Sequence, residues 1–117
     1  MRAAIGACVL VGLLLGVAGA APRFRIVHQR DPDEATSIVV SGTVFNEENR
    51  DVVEVWVTAE ALGASGKVLA TGLAFVSSSI PSRRSASFRA KLPRVDGVQS
   101  FRLSVSAFRY GATAESP

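Results

Sequence analysis

Cysteine is all but missing from this chain: Cys8 is the single one in 117 residues. It falls in the segment read below as a leader, so the exported part has no thiol, no internal disulfide and no Cys-His nucleophilic pair. Histidine is as scarce. His28 stands alone, and a zinc site would have to combine it with distant carboxylates. Beyond the leader no window of eleven or more residues repeats its apolar positions every 3.6, which excludes amphipathic helices there. Charge bias is lacking too. The net charge is +3, and Arg2 leaves with the leader, a balance that does not point to nucleic acid. The common catalytic signatures are also missing: Gly63-Ala64-Ser65-Gly66 is one residue short of G-x-S-x-G, and no glycine loop cradles a phosphate. Glu47, Glu48 and Asp51 share one polar corner, whereas glycoside hydrolysis needs two carboxylates held apart on rigid elements. The sequence therefore assigns no catalytic, cofactor-binding or metal-binding residue, and the expectation is a protein that is not an enzyme.

What is present begins with an apolar segment. Arg2 is the only charge in residues 1–21, the stretch from Val9 to Val17 is hydrophobic, and Ala18-Gly19-Ala20 satisfies a small-residue cleavage pattern. This reads as a secretory signal helix cleaved after Ala20, or as an anchor if it stays attached, since its length is near the ~20 residues that cross a bilayer. Cys8 precedes the apolar tract rather than following it, which argues against acylation. The expected organisation is a leader over residues 1–20, one domain over 21–110 and a frayed tail over 111–117. The expected location is periplasmic or extracellular, with membrane contact only through an uncleaved leader.

The remainder alternates with a period of two. Ser37 to Leu62 reads as two antiparallel strands around the corner Asn46 to Asp51, whose polar, charged composition favours turning. Val40, Gly42 and Val44 share the core face of the first, and Gly42 marks a bulge or a close backbone approach. Val53, Val55, Val57, Ala59 and Ala61 form the core face of the second. Before this pair, Arg23 to Arg30 predicts a short edge strand, ended by Asp31-Pro32-Asp33-Glu34. That acidic tetrad lacks the alternating ligands and glycine of a calcium loop and reads as an exposed turn. After the pair, Gly63 to Gly66 predicts a tight turn into a strand over 67–76, with Leu69, Thr71, Leu73 and Phe75 on one face. Residues 77–84 predict a loop. Two final strands place Ala86, Phe88, Ala90 and Leu92, then Phe101, Leu103, Val105 and Ala107, inward, with Asp96-Gly97 turning the chain between them. Arg89 and Lys91 fall on the face opposite Phe88, as a solvated face requires. Six or seven such strands predict an all-β, antiparallel sandwich of immunoglobulin-like type.

The order Val40-x-Gly42-x-Val44-x-Asn46, Val53-x-Val55-x-Val57, Gly66-Lys67-Val68-Leu69 and Ile80-Pro81 before Phe88 resembles the FxLYD-type domain family over about residues 37–108. Where the family carries its namesake aromatic and aspartate, this chain has Ala59 to Gly63 (AEALG). Arg83 stands near the family's glycine after the proline. The resemblance implies an immunoglobulin-like sandwich of bacterial envelope proteins, an accessory module without an assigned reaction. The functional expectation is a non-catalytic module that binds another envelope protein, with Phe45, Trp56 and Leu62 as the candidate partner surface. A membrane-tethered structural subunit is the alternative, and a carrier using Asp31, Asp33 and Glu34 a further one.

Overall fold

The computed structural model describes residues 23–111; the leader expected over residues 1–20 and the tail expected over 111–117, apart from Gly111, lie outside the described residues. Six strands make up these residues: β1 (Phe24–Arg30), β2 (Ser37–Asn46), β3 (Val52–Leu62), β4 (Val68–Ile80), β5 (Ser85–Pro93) and β6 (Ser100–Tyr110). None of the described residues is helical. The first sheet has the order β1-β2-β5 and the second the order β4-β3-β6, with every neighbouring pair antiparallel. The predicted β1 edge strand is in place.

A single core lies between the sheets. Ile38, Val40 and Val44 of β2 and Phe88, Ala90 and Leu92 of β5 meet Val52, Val55, Val57, Ala59 and Ala61 of β3. Fully burying one valine contributes about 1.5–3 kcal/mol, large beside a net stability of about 5–15 kcal/mol. Gly42 lets β1 come close. A side chain there would run into the Val27 carbonyl oxygen and meet His28 Cα and Phe88 Cζ, each at 2.9 Å. The pairing register continues unbroken through Gly42, so it serves a close approach and not a bulge.

The bulges lie in the second sheet, where they shift the predicted faces. Glu54 has φ 53°, and the register slips beside it, so Val52 rather than Val53 is buried in line with Val55 and Val57. On β6, Trp56 pairs with Ala107 but Val57 with Val105, which makes Ser106 an extra residue. Ala107 is thereby turned out and Phe108 takes the inward place. On β4 the large residues face outward. Gly72 and Ala74 are buried while Leu73 and Phe75 are exposed, because β4 passes so close to β5 that a side chain on Gly72 would strike the Lys91 carbonyl oxygen. The predicted loop over 77–84 is strand as far as Ile80, since β3 is long enough to pair with it through Val52 and Val53. Backbone pairing overrides the local preference of three consecutive serines for a turn.

Two loops are fastened by side chains. Asn46 is buried; its Nδ2 donates to the carbonyls of Arg50 (2.8 Å) and Ile80 (2.9 Å), and its Oδ1 accepts from the Glu48 amide (2.9 Å). Val39 points outward from β2 yet has no exposed surface; its cross-strand neighbour Lys91 is held by Glu34 of the segment between β1 and β2. The acidic tetrad pins that segment: Glu34 pairs with Arg89 (2.7 Å) and Lys91 (3.0 Å), and Asp33 with Arg30 (2.9 Å). The Asp31 amide donates to the Val39 carbonyl, and the Ser41 hydroxyl donates to the Asp31 carboxylate.

Candidate interaction surface

The outward face of the second sheet carries the largest exposed apolar side chains. Alternation places Trp56 there, and the β4 frame adds Phe75 opposite Trp56 and Leu73 opposite Thr58. They are 40, 49 and 62% exposed, against complete burial of Val55 and Val57 on the other side of the same strand. The Trp56 and Phe75 rings meet edge to face, with centroids 5.3 Å apart at 68°, a favourable offset for two aromatic quadrupoles. Ala107 across β3 is small, so the indole stands above its surroundings. Ion pairs flank the cluster: Glu54 with Arg109 (2.9 Å) and Glu60 with Arg102 (2.7 Å). The Glu60 hydrogen bond raises the Arg102 guanidinium above its already high ordinary value. An apolar centre inside a charged rim is the arrangement of a protein-binding patch.

The sequence-derived trio does not assemble. Trp56 lies in this patch. Leu62 is on the same face but at the far end of β3, opposite Val68, with Glu60, Thr71 and Arg102 in between. Phe45 belongs to the outward face of the first sheet, on the other side of the molecule, where the Arg25 guanidinium lies 4.0 Å from its ring centroid. Sequence reading missed Leu73 and Phe75. The signal that could have found them is Gly72, which marks the inward frame of β4 as the one of small residues.

His28 sits on β1 in one row with Gly42 and Phe88, on the sheet face opposite Ser41 and Ser87. Partial burial holds its imidazole below the ordinary value, which favours the neutral ring. An open depression of about 430 Å³ lies around this row, bordered by Val27, Ser41, Thr43 and Ser87. Of the nearby carboxylates, Asp31 accepts from Ser41 and Gln29, while Asp33 and Glu34 face cations.

No protein family, curated protein or solved structure matches this chain. Its chemistry is therefore read from the residues alone. The described residues hold no group of three His, Cys, Asp or Glu side chains placed to share a metal ion. What the second sheet offers instead is contact area. Two aromatics and a leucine on rigid, hydrogen-bonded strands lose little freedom on binding, which is what makes such residues binding anchors.

Proposed function

We propose that this chain is an exported, non-catalytic module of immunoglobulin-like type that docks onto another protein of the cell envelope through the outward face of its second sheet. The observation that carries this reading is the cluster of Trp56, Leu73 and Phe75, left exposed on a strand pair whose other side is completely packed. Exposed apolar residues clustered within a polar rim mark interaction surfaces more often than isolated ones do. The apolar leader ending in Ala18-Gly19-Ala20 supports export. Arg83 supports the FxLYD-type resemblance: it adopts φ 66°, a left-handed conformation that glycine fills most easily, near the position where that family has glycine.

The test is a photo-crosslinking amino acid introduced at position 75 in cells producing the full chain, with position 87 on the first sheet as control. A discrete adduct at 75 that is missing at 87 is expected. Equal adducts at both positions, or none at 75, would overturn the reading.

A further inference from the structure

The second sheet changes register on all three of its strands at one level. On β4 the pairing steps from Val55 with Ser77 to Trp56 with Phe75, which leaves Val76 as an extra residue. On β3 two residues, Glu54 and Val55, stand opposite the single Phe108 of β6, and one step further on Ser106 is the extra residue of β6. The row of Phe75, Trp56 and Ala107 lies at the centre of these slips, and all three residues are exposed on the outward side. Each slip shapes that row. Were the register of Val55 and Ser77 to continue, Phe75 would stand opposite the buried Val57 and face the core. Were the register of Val57 and Val105 to continue, Ser106 would take the place beside Trp56 and Ala107 would fall opposite the buried Val55.

Glu54 is the strained member of this line. Its φ of 53° is a left-handed conformation that is costly for any residue with a Cβ, and its carboxylate receives the Arg109 guanidinium at 2.9 Å. The core has no use for it. Taken out of the sequence, Glu54 leaves Val52, Val53, Val55, Trp56 and Val57 in plain alternation, with Val52, Val55 and Val57 still on the buried side and Trp56 still outside. A bulge bends its strand and re-aims the side chains next to it, and backbone strain that packing does not require collects where a surface has to be held in one shape.

We propose that Glu54 is a positioning residue for partner binding: its left-handed turn, fastened across to Arg109, aims the Trp56 ring at Phe75 and so fixes the shape that the partner meets. The Val76 and Ser106 slips supply the neighbours of the indole, a ring on one side and a methyl group on the other. The Glu54 slip supplies its direction. Held edge to face at 5.3 Å, the two rings form a single rigid wedge rather than two side chains that a partner must order on contact. The proposal rests on the docking surface proposed above and adds how that surface is held.

The test compares E54G with E54V in the full chain. Both remove the carboxylate and keep the chain length, but glycine adopts positive φ freely and a β-branched residue hardly at all. Trp56 is the single tryptophan, so its emission reports on this site alone. E54G is expected to keep both the Trp56 emission and the yield of partner adduct through a photo-crosslinking probe at position 73. E54V is expected to shift that emission and to lower the adduct, per folded molecule, at least about tenfold. A role confined to stability would lower the urea midpoint of E54V and leave emission and adduct as they are, and that result would overturn the proposal. Equal losses in E54G and E54V would overturn it too, since the carboxylate and not the backbone turn would then be the cause. If E54V does not fold, deletion of Glu54, which keeps the alternation of β3, takes its place with the same expected losses. Failure of that chain to fold as well would show that the core needs the extra residue, and the proposal falls. With no adduct at position 73 in the unaltered chain, the module reading falls and the positioning role with it; with an adduct there that no Glu54 variant weakens, only the positioning role falls.

Discussion

Asn46 is the buried polar side chain of the core, and it ties two separate stretches together, meeting backbone groups of Glu48 and Arg50 in the β2–β3 corner and of Ile80 at the end of β4. Replacing it with alanine leaves the buried Ile80 carbonyl and two partly buried groups, the Arg50 carbonyl and the Glu48 amide, without this partner, and an unsatisfied buried group costs about 1–3 kcal/mol. N46A is expected to lower stability by about 2–4 kcal/mol, read as a reduced urea midpoint with an unchanged slope. Gly42 is constrained in the opposite way, by lack of space rather than by need of a partner. G42A pushes a methyl group into the Val27 carbonyl and is expected to cost about 1–3 kcal/mol, comparable to overpacking a core. Arg83 tests the converse. R83G relieves a left-handed residue in the turn closed by the Arg84 amide and the Pro81 carbonyl, and the protein is expected to gain up to about 1 kcal/mol. A loss of stability in R83G would mean that the hydrogen bond from Arg83 to Asn49 matters more than the backbone strain.

The segment between β1 and β2 is pinned to β1 and β5 by ion pairs, and those pins are titratable. The Asp33 carboxyl is held below its usual range first by the Arg30 hydrogen bond, and that of Glu34 by hydrogen bonds from Arg89 and then Lys91. A carboxyl that titrates lower in the folded than in the unfolded protein contributes stability above its unfolded value, about 4, and that contribution disappears as pH falls through the folded value. Stability is therefore expected to decline below about pH 4. E34Q should flatten that decline, since its amide keeps no charge to lose; urea midpoints between pH 3 and 6 measure both. The bulges of the second sheet act at the same scale. Because one extra residue reverses the facing of everything beyond it, the Glu54 and Ser106 bulges determine that Val52 and Phe108 enter the core while Val53 and Ala107 leave it. Period-two reading held along Ala86 to Leu92 and Phe101 to Val105, and failed at Val53 and Ala107, beyond the Glu54 and Ser106 bulges. Nothing in the residues flanking Glu54 announces a slip, since a glutamate at positive φ is tolerated there only because the paired strands impose it.

The described residues form two three-stranded layers sealed along β4 and β5 and open along β1 and β6. Residues that seal the core and the exposed residues of the proposed docking surface are thus on different sides of the same strands, so the proposed function can be tested apart from stability. F75S removes an exposed ring from the outward face and is expected to shift stability by less than about 0.5 kcal/mol. The same variant should abolish partner crosslinking through a probe placed at position 73. A large loss of stability in F75S would instead show that the ring is packed in the native protein and that the patch is not free to bind.

The amino-acid sequence by itself determined the material of this fold: extended strands, because apolar residues recur at every second position; turns at Asn46 to Asp51 and Gly63 to Gly66, because their residues favour turning over pairing; and β1 as an edge, because charge and a following proline discourage further pairing. Only the tertiary structure decided which side of each strand is covered. A strand with apolar residues on both sides, such as β4, can be buried either way until its neighbour's backbone excludes one choice, as the Lys91 carbonyl does at Gly72. The same holds for the surfaces. Phe45 and Trp56 are close in sequence but belong to different sheets, and the sheet assignment that sends them to opposite sides of the molecule is a matter of long-range hydrogen bonding that local pattern does not encode.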